Sequence, residues 1–172
     1  SNQVMLSDNG TSFTSSSISN GTMDLVKVIA IDSIGAGVFV ALDSTNNKIV
    51  TSTDGGITWN EKPIATPVTA GAKYTSMVYS TTDKKIVVVG TKGTIMESDV
   101  VTSDNIGALT FTNKSLTDTT IDLSDICYSN DYDTYCAAVS NDSNDVVVFA
   151  PDDPKWTKIS MGNEVAKSNW IK

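Results

Sequence analysis

Three stretches of this chain align with one another end to end, and internal repetition at this period leaves few folds open. They cover residues 26–64, 74–116 and 124–160. Each contains four short apolar runs separated by turn residues. In the first the runs are 26–31, 38–42, 48–52 and 57–64, broken by Asp32-Ser33-Ile34-Gly35, Ser44-Thr45-Asn46-Asn47 and Asp54-Gly55-Gly56. In the second they are 74–79, 86–89, 94–97 and 109–116. In the third they are 125–128, 135–139, 146–149 and 155–160.

Short runs at even spacing, joined by Asn, Asp and Gly, read as hairpins. Four strands per unit of this length is the blade of a β-propeller, and the expected class is all-β with four-stranded antiparallel sheets. A sandwich also has many short strands, but it has no reason to repeat its own sequence. Ser and Thr make up about a quarter of the 172 residues. That suits strands and turns rather than helices. The expected organisation is a half blade at 1–22, blades at 26–64, 74–116 and 124–160, and the start of a further blade at 163–172, which includes Trp170. This amounts to about three and a half blades in one propeller segment.

The strongest local signal is Ser52-Thr53-Asp54-Gly55-Gly56-Ile57-Thr58-Trp59. Asp54 can accept backbone N–H groups of its own loop, Gly56 permits a backbone angle that a side chain penalises, and Trp59 can pack beneath the turn. The motif fits Ser/Thr-x-Asp-x-Gly-x-Thr-Trp/Phe at every defined position, and the chain resembles the Asp-box, or bacterial neuraminidase repeat, family of propellers. The resemblance implies that the box lies between the third and fourth strands of a blade. Degenerate copies stand where the repeat predicts them. Asp8, Gly10 and Phe13 form one, 46 residues earlier, with Leu6 in the leading position. Asp99 begins another, interrupted by an insert at 100–108 before Leu109-Thr110-Phe111. Asp152 and Trp156 form the last, without the glycine.

Sialidases of this family imply an arginine triad, a Tyr/Glu nucleophile pair and an acidic Asp. This chain has no Arg and no His; its twelve cations are all Lys. Lys does not reproduce the bidentate guanidinium fork. Without His there is no Ser-His-Asp or Cys-His pair. Asp is plentiful but falls in turns, where turn formation explains it better than paired carboxylates do. The oxygen-rich turn at 141–145 lacks the spacing of the helix-loop-helix calcium motif. No catalytic residue, cofactor or metal is therefore expected. Cys127 and Cys136 flank one turn and face each other if that hairpin is symmetric, as two buried thiols or as a disulfide.

The formal charge of −8 argues against nucleic acid and anionic membranes, and no apolar run is long enough for a membrane helix. The expected function is a non-enzymatic binding or structural module with a protein or glycan partner. The Lys-only, Ser/Thr/Asn-rich composition is similar to phage tail and fibre proteins, which suggests a virion or a cell surface. The alternatives are part of a sialidase-like or glucanase-like hydrolase completed by residues outside this chain, or an assembly or sorting scaffold. An open edge implies a larger parent chain or a homo-oligomer that completes the ring. The insert 100–108 and the linkers 63–73 and 117–123 are expected to be the variable recognition elements.

Overall fold

The computed structural model describes residues 3–18, 22–64, 69–139, 145–150 and 153–160. The expected strand at 163–172, Trp170 and the turn at 141–144 lie outside them. Among the described residues, fourteen strands are arranged in chain order as antiparallel sheets. β1 (Gln3–Leu6) and β2 (Thr14–Ser17) form a two-stranded half blade. The first full sheet is β3 (Leu25–Ala30), β4 (Phe39–Asp43), β5 (Lys48–Ser52) and β6 (Asn60–Pro63). The second is β7 (Tyr74–Ser80), β8 (Lys85–Gly90), β9 (Ile95–Ser98) and β10 (Phe111–Asn113). The third is β11 (Leu123–Ser129), β12 (Thr134–Val139), β13 (Asp145–Ala150) and β14 (Asp153–Ser160). The chain is about three and a half blades of a β-propeller.

The repeat reaches down to irregularities of register. The first strand of each full sheet is bulged at the same place, between Leu25 and Lys27, Tyr74 and Ser76, and Leu123 and Asp125. The extra residues are 26, 75 and 124, which recur every 49 positions. A bulge sharpens twist locally, and its recurrence marks each strand as the same structural part. Strands β3, β7 and β11 also lie beside one another, as the innermost strands of successive blades do.

Three apolar cores lie between neighbouring sheets. Val4, Ile18, Met23, Ala41, Val50 and Trp59 join the half blade to the first blade. The first and second blades meet through Val40, Leu42, Ile49, Tyr74, Met77 and Ile86, with Phe111 at the margin. The second and third meet through Val87, Val89, Ile95, Leu123, Tyr135 and Val147, flanked by Trp156. Middle strands are covered on both faces, which explains why Val87, Val88 and Val89 are all fully buried instead of alternating.

Two expectations need correction. The fourth strand of the first blade begins at Asn60, not at Ile57, because the N–H groups of Ile57 and Thr58 are taken by the Asp54 carboxylate. Cys127 does pair in register with Cys136, but it is exposed, not buried. Ile126 turns inward to the second blade, so by strand alternation Cys127 turns to the opposite face of the third sheet.

Candidate functional site

The turn between β5 and β6 is built around one carboxylate. Asp54 Oδ1 accepts the N–H groups of Ile57 at 3.1 Å and Thr58 at 2.9 Å. Its Oδ2 accepts the Thr58 hydroxyl at 2.6 Å. The Ser52 hydroxyl donates to Asp54 Oδ1 at 2.9 Å and accepts the Gly56 N–H at 2.9 Å. The Thr58 hydroxyl and N–H, with help from Ser52 and Ile57, hold the Asp54 carboxyl down at about 2. Trp59 Nε1 donates to the Gly56 carbonyl at 2.8 Å, which pins the ring beneath the loop. Gly56 has φ 86, which favours glycine, and a Cβ there would also press on the end of the Leu6 side chain at 2.6 Å.

The degenerate copies keep parts of this device. In the half blade the accepting side chain is Asn9, one residue after Asp8: its Oδ1 takes the N–H groups of Thr11 and Ser12, both at 2.9 Å. Ser7, not Leu6, stands in the role of Ser52, accepting the Gly10 N–H at 2.8 Å. The pattern aligned Asp8 because the residue type matched; the shorter loop shifts the role to its amide neighbour. Gly10 keeps a positive φ of 71. In the second blade Asp99 Oδ1 accepts the Thr110 N–H at 3.2 Å, and the Asp99 N–H returns to the Thr110 carbonyl at 3.0 Å. Asp152 lies outside the described residues.

The box aromatics follow one rule. Trp59 joins the core between the half blade and the first blade, Phe111 that between the first and second, and Trp156 that between the second and third. Each therefore lies in the core that its own blade shares with the one before. Phe13 has no preceding sheet among the described residues and is 57% exposed.

The insert 100–108 is not a free loop. Val101 and Ile106 are buried in the core between the first two blades. The Val101 N–H donates to the Lys84 carbonyl at 2.7 Å, and Asn105 Nδ2 donates to the Val100 carbonyl at 2.7 Å. Its residues Val101 and Ile106 act as an internal wedge, a role that their apolar character could have signalled.

Around the inner strands, Asp125 accepts hydrogen bonds from the Ser76 hydroxyl and from Lys27 Nζ, the latter at 3.4 Å. Partial burial pushes the Asp125 carboxyl up, but the Ser76 hydroxyl, the Ile126 N–H and the Lys27 ammonium outweigh it and hold it below the ordinary range. Its chemistry is thus spent on joining blades. Among the described residues no three His, Cys, Asp or Glu side chains converge on a point that would hold a metal.

What remains open is a cleft of about 610 Å³ between the outer parts of the second and third blades. Phe149 and Trp156 form one apolar wall, with ring centroids 5.5 Å apart. Lys85, Lys114, Lys155 and Lys158 line it, against the carboxylates of Glu97 and Asp118. Lys85 pairs with Glu97 at 2.9 Å; Lys158 pairs with Asp145 at 3.4 Å and Asp118 at 3.8 Å. Lys114 and Lys155 have no ion-pair partner among the described residues. The linker 117–123, expected to be a recognition element, supplies Thr117, Asp118 and Ile121 to this site; sequence reasoning missed the rest, which comes from β8, β9, β13, β14 and residues 114–116. It named Trp156, but as a box residue.

No family model matches the chain, and no curated protein sequence matches it. Solved structures do. YCF48 from Cyanidioschyzon merolae is similar with a TM-score of 0.65 at 16% identity, over 95% of this chain and 55% of that one. The extracellular domain of a hybrid two-component system from B. thetaiotaomicron gives 0.62 at 11% identity, over 93% of this chain and 20% of that one. A structure of YCF48 bound to D1 peptide gives 0.57 at 16% identity, over 88% and 44%. The chain thus spans about half the length of the YCF48 proteins it resembles. At these identities the likeness bears on fold, and the fold is that of β-propellers.

Proposed function

We propose that this chain is a non-catalytic recognition module of the Asp-box type, which binds its partner in the cleft between the second and third blades. The carrying observation is the cleft itself: two lysines without ion-pair partners among the described residues, beside an aromatic wall, in a chain of net charge −8. The hydrogen bonding around Asp54 supports the Asp-box reading. Asp54, Asp99 and Asp125 are each engaged by neighbouring N–H, hydroxyl or ammonium groups, which leaves them poor candidates for acid–base work. The YCF48 structure bound to D1 peptide supports the idea that this kind of scaffold takes a partner. Composition favours a virion tail or fibre, or a bacterial surface, as the setting.

The test is attachment. The parent protein is screened against glycan and peptide arrays and against host cells, alongside a Lys114→Gln/Lys155→Gln variant. Loss of attachment in the variant is expected. Attachment that survives it unchanged, or turnover of sialosides or glucans by the parent, contradicts the reading.

A further inference from the structure

We infer that the cleft between the second and third blades takes an anionic oligosaccharide, with carboxylate or sulfate groups on its rings; this rests on the cleft being the recognition site. Charge is the first ground. Four of the twelve lysines line one cleft; Lys85 and Lys158 are paired with Glu97, Asp118 and Asp145, and Lys114 and Lys155 have no ion-pair partner among the described residues, within a chain of net charge −8. An anion is drawn there and repelled elsewhere. Lys heads on flexible stems are point charges, suited to carboxylates or sulfates spread along a chain instead of one planar group held bidentately.

The wall is the second ground. Phe149 and Trp156 sit side by side, tilted 42° to one another. The two rings make an angled apolar wall, and each ring offers a face on which the C–H face of a pyranose can stack. The cleft volume falls in the range of ordinary ligand sites.

The third ground separates a saccharide from an acidic peptide. A peptide that adds as a strand needs unsatisfied backbone donors and acceptors along the rim. Along residues 114–116 the rim backbone is already engaged. The Lys114 N–H donates to the Ile95 carbonyl at 2.9 Å and the Leu116 N–H to the Gly93 carbonyl at 2.9 Å. The Ser115 N–H donates to Asn113 Oδ1 at 3.0 Å. That side of the cleft presents the Lys114 ammonium and few free backbone groups to whatever enters.

Calorimetric titration of the full chain tests this with four probes: an oligogalacturonate, a heparin-derived oligosaccharide, a neutral maltooligosaccharide and an oligoglutamate. Binding of at least one charged saccharide is expected, weakening with salt and falling about tenfold or more in Lys114→Gln/Lys155→Gln, where the lost charges are exposed and the fold is retained. The tighter of the two charged saccharides identifies carboxylate or sulfate as the source. Trp156→Ala is a second variant, accepted only if its circular dichroism matches wild type. Equal binding of the neutral probe, or binding unchanged in the lysine variant, overturns the inference. Binding of oligoglutamate alone overturns it while leaving the recognition reading intact. If no probe binds but the lysine variant still loses attachment to cells or arrays, the inference fails and the recognition reading stands. If neither probe binding nor attachment depends on these lysines, both fall.

Discussion

The Asp99 carboxylate accepts the backbone N–H of Thr110, eleven residues along the chain, as Asp54 accepts that of Thr58 four residues along. The second blade therefore keeps the central bond of the turn although it is seven residues longer there. The added residues do not hang from the surface; they re-enter the core between the first and second blades through Val101 and Ile106.

That placement predicts an inverted sensitivity to mutation. Ile106 lies in an insert yet is 3% exposed, so Ile106→Ala is expected to cost roughly 2–5 kcal/mol by leaving a cavity. Val100, six residues earlier and 46% exposed, is expected to cost no more than about 0.5 kcal/mol as alanine. Urea denaturation of both variants measures the contrast, and equal costs contradict the wedge.

The Asp54 turn predicts a specific acid response. Its folded-state pKa of about 2 lies below the ordinary 3.8. The stability it lends is complete above 3.8 and is lost as pH falls through 2. The gap in Tm between wild type and Asp54→Asn is therefore expected to be widest near neutrality and to close as pH falls from 3.8 to 2. A thermal melt series across that window reads it. A gap independent of pH means that the carboxylate charge does not hold the turn.

Blade contacts also run through polar pairs. Tyr135 on β12 donates its hydroxyl to Asp83 Oδ2 at 2.8 Å, from the third blade to the β7–β8 turn of the second. Burial pushes the Tyr135 hydroxyl well above its usual range, so the group stays a donor at any working pH. Tyr135→Phe is expected to cost about 1 kcal/mol, since Asp83 is exposed and water can take the vacated place. A double-mutant cycle with Asp83→Ala should show the two losses overlapping instead of adding.

Much of this architecture is legible in the sequence because propeller blades repeat. The runs at 26–31, 74–79 and 48–52 fall on strands within a residue or two, since alternating and continuous apolar runs bounded by Asn, Asp and Gly leave little choice. Box geometry is legible at Asp54 because every side chain there bonds within five residues. It is misplaced at Asp8, where a one-residue shorter loop moves the role to Asn9. The cleft is legible only in its linker 117–123, because Lys85, Lys114 and Lys155 come together only when two blades pack. Nor is the exposure of Phe13, which depends on the absence of a covering sheet among the described residues and not on its own segment.

The central claim is that equivalent residues of successive blades meet around one axis. Lys27, Ser76 and Asp125 stand 49 positions apart on β3, β7 and β11, and Asp125 is bonded to both of the others. A zero-length carbodiimide cross-linker, which joins an ammonium to a contacting carboxylate, tests this when the products are mapped by mass spectrometry. The account predicts a Lys27–Asp125 link across 98 residues, together with the within-blade links Lys48–Glu61 and Lys85–Glu97. Formation of the two within-blade links without Lys27–Asp125 would contradict it.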